Sequence, residues 1–195
     1  MSVSQEARQI AQLLATTFRV GPAVNAKPEM RRYGDESDKG TVDLLSCADS
    51  PMQGVTAYGT VRLSEYPLGH ANDLRVEIIA AFPTAVPDFA KVITTCAFNV
   101  INDNAPLWPG VIHGEAMAMY ELSTTLRHIM FVSPFLWGED PKTLKLPDHT
   151  VAWLMAVPIT EAERAHAAVH GSNALEQLFE EKDINIFDVA RPSVV

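Results

Sequence analysis

Cysteine is scarce in this 195-residue chain: Cys47 and Cys96 are the only two, and neither belongs to a CxxC pair. A chain of this length does not need a disulfide framework, so reduced thiols in a cytoplasmic protein are the simpler reading. Basic residues are also few. Fifteen Lys and Arg against 24 Asp and Glu leave a net charge of −9. Such a chain offers no basic stripe to neutralise phosphates, which argues against nucleic acid and fits a basic protein partner better. Long apolar runs are missing: Val151–Ile159 is the longest, about half of what spans a bilayer. The opening MSVSQEARQ lacks the basic-then-apolar pattern of a signal peptide. Neither a membrane nor a secreted location is expected. G-x-G-x-x-G, G-x-x-x-x-G-K-[ST], H-E-x-x-H and G-x-S-x-G are all absent.

What the chain does have is a well-patterned centre, Val55 to Phe82. In the first arm Val55, Ala57, Gly59, Val61 and Leu63 alternate with Thr56, Tyr58, Thr60, Arg62 and Ser64. In the second, Leu74, Val76, Ile78, Ala80 and Phe82 alternate with Arg75, Glu77, Ile79 and Ala81. Successive strand side chains point to opposite faces, so the pattern predicts two paired strands, each with one apolar face. Their connection, Glu65–Asp73, is longer than the usual hairpin loop of about 2–5 residues. A long loop on a rigid sheet is either a binding element or a tolerated insertion.

Around this centre the periodicity predicts a helix over 3–18, with Ser2 and Gln5 as a capping box. The polar stretch 21–40 reads as loop with a short helix near Pro28–Tyr33, and Thr41–Cys47 as a strand. Thr84 can cap a long helix carrying Val86, Phe89, Ala90, Ile93, Ala97, Val100 and Ile101. Strands follow at Val111–Met119 and Arg127–Val132, and the continuous run Val151–Val157 suits a central strand covered on both faces. Thr160 and Glu163 form a second capping box. Gly171 ends that helix, and Ser172 can cap the next, which carries Leu175, Leu178 and Phe179. The order of elements predicts an α+β fold with a mostly antiparallel, mixed sheet packed against helices.

His113-Gly114-Glu115 is the sharpest catalytic candidate, because on a strand both side chains would share a face. H-x-E also opens the zinc deaminase signature, but that needs a following P-C-x-x-C, and no cysteine follows Cys96. His166 and His170 share a helix face without a third ligand. Ser64 beside Glu65 lacks an orienting group and an oxyanion hole. No metal or other cofactor is therefore expected. Trp153 reads as core. Trp108 and Trp137 lie in Pro/Gly-rich loops, where exposed aromatics serve as contact anchors.

Several of these segments together resemble the Suppressor of fused (SUFU) domain family. Tyr58-Gly59 followed by Leu63-Ser64-Glu65-Tyr66 is similar to the family's aromatic-Gly and Leu-Ser-acidic pattern, and Arg75-Val76-Glu77-Ile78 to its next strand. Pro109-Gly110 with His113, Val151-Ala152-Trp153-Leu154, Thr160-Glu161-Ala162-Glu163 and Gly171-Ser172-Asn173-Ala174-Leu175 follow in the family's order. The resemblance implies a SUFU-like domain over 51–195, preceded by a helix and loop extension over 1–50. It further implies a non-enzymatic protein-binding module, like the bacterial stand-alone members that resemble immunity proteins of polymorphic toxin systems. Its contact surface would include Glu65, Tyr66, Pro67 and Asp73, with Trp108 and Trp137 added as aromatic anchors. The alternatives are a metal-dependent hydrolase or deaminase using His113 and Glu115, and a regulator that sequesters a transcription factor.

Overall fold

Two strands with almost no exposed side chains form the middle of the molecule: β4 (Leu74–Pro83) and β8 (Thr150–Thr160). They run parallel, Leu74 opposite Thr150 through Ile79 opposite Met155, and this is the sheet's one parallel pair among the described residues. The computed structural model describes residues 4–35, 40–69 and 73–195. Its strands form a single mixed sheet in the order β1 (Glu29–Gly34), β2 (Thr41–Ala48), β3 (Val55–Val61), β4, β8, β6 (Leu126–Val132), β5 (Ile112–His113). The short β7 (Leu144–Lys145) pairs with the start of β8. Among the described residues four α-helices complete the α+β fold: α1 (Gln5–Phe18), α2 (Phe89–Asp103), α3 (Glu161–His170) and α4 (Ser172–Glu181).

The central hairpin exists, with Val55 opposite Pro83 and Gly59 opposite Ile79. The expectation of one apolar face per arm is corrected, because both faces are buried. Ile78, Ala80 and Phe82 enter the core under α2, whereas Ile79 and Ala81 enter a second core built from α1 and the C-terminal helices. Covering both faces removes the need for polar residues on either. Helix α1 lies on β2 and β3 through Ile10, Leu14 and Phe18. It comes so close that a Cβ on Gly59 would stand 2.7 Å from Leu14 Cδ1. A side chain at the glycine of the Tyr58-Gly59 pair would therefore force Leu14 to move. Gly110 has φ +87°, and a Cβ there would run into the Ser172 side chain.

Other local expectations shift. Of Pro28–Tyr33, Glu29–Tyr33 lie in the edge strand β1, not a helix, because β2 satisfies the backbone from Glu29 opposite Ser46 to Gly34 opposite Thr41. Its side chains are nearly all exposed, so no apolar alternation marked it. Ser2 lies outside the described residues. Ser4 caps α1, its Oγ accepting from Ala7 N at 3.1 Å. Thr84 hydrogen-bonds Thr56 across the hairpin, and α2 starts later, at Phe89. Of Val111–Met119 only Ile112–His113 is strand, and Glu115 turns the chain with φ +57°. Ser172 is the first residue of α4 and makes no side-chain cap. The Thr160–Glu163 capping box is formed in both directions. No described helix is long and apolar enough to cross a membrane.

Candidate partner-binding site

The segment that leaves β3 does not run directly into a loop. Arg62 adopts a left-handed conformation, φ +91°, and Leu63–Glu65 make one 3₁₀ turn. The cause lies across the hairpin in Glu77, a fully buried carboxylate on β4. Its Oε1 accepts from Arg62 N at 2.9 Å, Ser64 N at 3.0 Å and Ser64 Oγ at 2.8 Å. Oε2 accepts from Thr60 Oγ1 at 2.5 Å and Leu63 N at 3.3 Å. Three successive amides converging on one carboxylate form a concave anion cradle. Burial nevertheless pushes Glu77 up to about 7, against the pull of the Thr60 hydroxyl and of the Ser64 and Arg62 donors.

Ser64 Oγ also stands 2.8 Å from Glu6 Oε1 on α1. A hydroxyl carries one hydrogen, so it donates to Glu6 or to Glu77 and not to both. His149 Nε2 reaches the same Glu6 oxygen at 3.1 Å. The turn is thus fastened to β4, to α1 and to the chain before β8.

Beyond this anchor lie the residues expected to meet a partner. Glu65 is half-buried, paired with Arg62 at 2.8 Å and accepting from Ser4 Oγ at 3.1 Å. Tyr66 is half-buried and Pro67 exposed. Asp73 is exposed and accepts two hydrogen bonds from the Arg75 guanidinium, at 2.7 and 3.2 Å, which hold its carboxyl below the usual range. Arg75 in turn donates to Ser64 O at 3.1 Å, so Asp73 belongs to the same polar patch as the turn.

The two tryptophans are not brought there. Trp108 is 52% exposed but precedes β5, with β8 and β6 between it and the hairpin in strand order. Trp137 corrects the expectation of an exposed aromatic: it is 8% exposed, packs on Phe18 with ring centroids 5.0 Å apart, and donates to Ser50 Oγ at 3.4 Å. A tryptophan in a loop joins the core when that loop folds over a helix end.

The His113–Glu115 pairing is not formed either. His113 is buried, with Nε2 3.0 Å from Pro106 O and the ring edge-on to Phe131 at 4.9 Å. Its desolvated ring is biased toward the neutral form. Glu115 turns outward to Arg127. Glu115 instead joins His128 and Glu161, whose ligand atoms lie within 4.8 Å of one another. Sequence spacing could not reveal this trio, because Glu161 arrives from another element. Both ring nitrogens of His128 are engaged: Nδ1 accepts from Glu115 N at 2.9 Å, which leaves the Nε2 proton facing Glu161 Oε2 at 2.7 Å. Arg127 and Arg164 take the two carboxylates, and hydrogen bonding from Arg164, then His128, holds Glu161 down at about 2. A cation entering here would have to displace two guanidinium groups. His166 and His170 lie with ring centroids 4.4 Å apart on α3 and belong to no such trio among the described residues.

In the sequence Glu77 is an acidic residue inside an apolar strand, and nothing local to it marks its role. A buried carboxylate needs donors, and these come from the turn that closes over it.

Sheet order, twin cores and the fastened turn define a class: an α+β protein that holds an irregular polar turn rigidly at the end of its central hairpin. The chain belongs to the Suppressor of fused protein (SUFU) family, whose sequence profile matches residues 38–192. It is 42% identical over 198 residues, covering the whole of both chains, to a Bacillus subtilis (strain 168) protein named Immunity protein YqcF. A SUFU homologue from Neisseria gonorrhoeae FA 1090 has the same fold, with a TM-score of 0.77 and 15% identity over 97% of each chain. A chain in the crystal structure of the Sufu–Fu complex superposes at TM-score 0.65 and 10% identity, over 97% of this chain and 92% of that one.

Proposed function

We propose that this chain is a non-enzymatic binding protein of the cytoplasm that neutralises a toxin by direct contact. Full-length similarity to a protein named as an immunity protein carries the reading. The net charge of −9 supports a basic toxin as the partner. The contact surface includes Glu65, Tyr66, Pro67 and Asp73. Its support is geometric: the Glu77 cradle holds the turn in one conformation before binding, so little entropy is lost when a partner arrives. Trp108 offers a separate aromatic contact next to β5, at the far end of the strand order from the hairpin, and Trp137 is left to the core.

Affinity purification of the tagged chain from its native cell tests the reading. A stoichiometric partner whose toxicity this chain suppresses in co-expression is the expected result. Recovery of a transcription factor in its place would make the chain a sequestering regulator, and recovery of no partner would overturn both readings. With a partner in hand, the pair Glu65→Ala and Tyr66→Ala should weaken binding at least about tenfold with the fold intact. Unchanged affinity would move the contact surface elsewhere.

A further inference from the structure

A groove of about 570 Å³ opens between the chain that follows β6 and the helix α4 with its C-terminal extension. Val132 and Val157, both buried, lie among its apolar lining. Phe179 and Phe187 line it too, and Phe135, 54% exposed, stands in the wall. Three carboxylates share this lining: Glu176 and Glu180, one turn apart on α4, and Asp183 just beyond. Among the described residues no Lys or Arg pairs with any of them. Partial burial and the Glu180 charge both raise Glu176 above the usual carboxylate range. The nearby guanidinium, Arg191 over the Phe179 ring at 5.3 Å, is committed to Glu163.

We infer that this groove receives a cationic segment of the protein partner, one that inserts a large apolar side chain while its Lys or Arg residues meet Glu176, Glu180 and Asp183. The inference rests on the reading of the chain as a binding protein and gives it a second contact region, which shares no lining residue with the Leu63–Tyr66 turn. Charge complementarity selects the occupant. A second copy of this chain would bring the same three carboxylates and a net charge of −9 against the groove, and an anionic lipid surface would be repelled in the same way. A cationic segment instead gains its electrostatic contacts beside an apolar recess, where both contributions act at once.

Fluorescence anisotropy with two labelled peptides, one of Leu and Lys and its counterpart of Leu and Glu, tests this without knowledge of the natural partner. The Leu/Lys peptide should bind saturably and the Leu/Glu peptide should not. Glu180→Lys and Phe135→Ala should each weaken binding about tenfold. Glu121→Lys makes the same charge change beside Tyr120 and Leu122, which pack into the other core, and should leave binding unaltered. Failure of the wild type to bind, or an equal loss in Glu121→Lys, would overturn the groove assignment. Because Glu65→Ala with Tyr66→Ala should not affect the peptide, a null result here leaves the immunity reading standing if the native partner is still recovered.

Discussion

Glu77 and Glu163 are the two fully buried carboxylates of the described residues, and they are held by opposite means. Glu77 is held by neutral donors, namely two hydroxyls and three backbone amides of its own hairpin. Glu163 is held by a cation from far along the chain: Arg191 donates to it at 2.5 and 2.8 Å and also reaches Pro158 O at 3.0 Å. Val194 N adds a bond at 3.2 Å, and the Glu163 carboxylate also closes the α3 capping box. The contrast separates two structural jobs. Amide donors impose a shape on the segment that supplies them, so Glu77 moulds a turn. A guanidinium supplies charge at the end of a long side chain, so Glu163 fastens the C-terminal segment wherever it lies.

The largest effect should come from breaking the ion pair from one side. Arg191→Met leaves Glu163 buried without its cation and should lower the stability to urea by about 3–5 kcal/mol. Changing both, Glu163→Gln with Arg191→Met, should recover a substantial part of that loss, and a fully additive result would show the pair to be uncoupled. Glu77→Gln keeps the shape but presents amide hydrogens to a cradle whose three backbone amides can only donate. A loss of about 1–3 kcal/mol is expected, with faster hydrogen exchange at the amides of residues 62–64. Exchange unchanged at those amides would show that the turn holds without the carboxylate.

Titration should report on Glu77. Burial raises Glu77 to about 7 from 4.5, so between those values the folded state keeps a proton that the unfolded chain has released. Its contribution is fully present below about pH 4.5 and is lost as pH rises through about 7. Urea denaturation across this window should therefore show stability falling with rising pH, and Glu77→Gln should flatten the slope. The smallest effect belongs to the turn's outer face: Glu65→Ala breaks a partly exposed pair with Arg62 and should cost about 0.5 kcal/mol or less.

Much of the frame was legible before the structure. The hairpin, the long helix after Pro83, the strand at Val151–Val157 and the Thr160–Glu163 box announce themselves by local pattern, because period and capping are properties of neighbouring residues. The edge strand β1 did not, since its order comes from pairing with β2 while its own side chains face solvent. The candidate site divides the same way. Leu63-Ser64-Glu65-Tyr66 stood out as a motif, whereas the reason it is rigid required Glu77, Glu6 and His149 to be brought together. His113 and Glu115 looked like partners because they are two residues apart. A positive φ at Glu115 ends the strand and sends them to different environments.

By itself the sequence determined the fold class, the family and the acidic balance of the chain. These rest on composition and on patterns a few residues long. Only the tertiary structure decided which polar residues act together: Glu77 with a turn, Glu163 with Arg191, Glu115 with His128 and Glu161. The reason is physical. A buried charge is tolerable only where donors from other segments converge on it, and that convergence is a property of the folded chain.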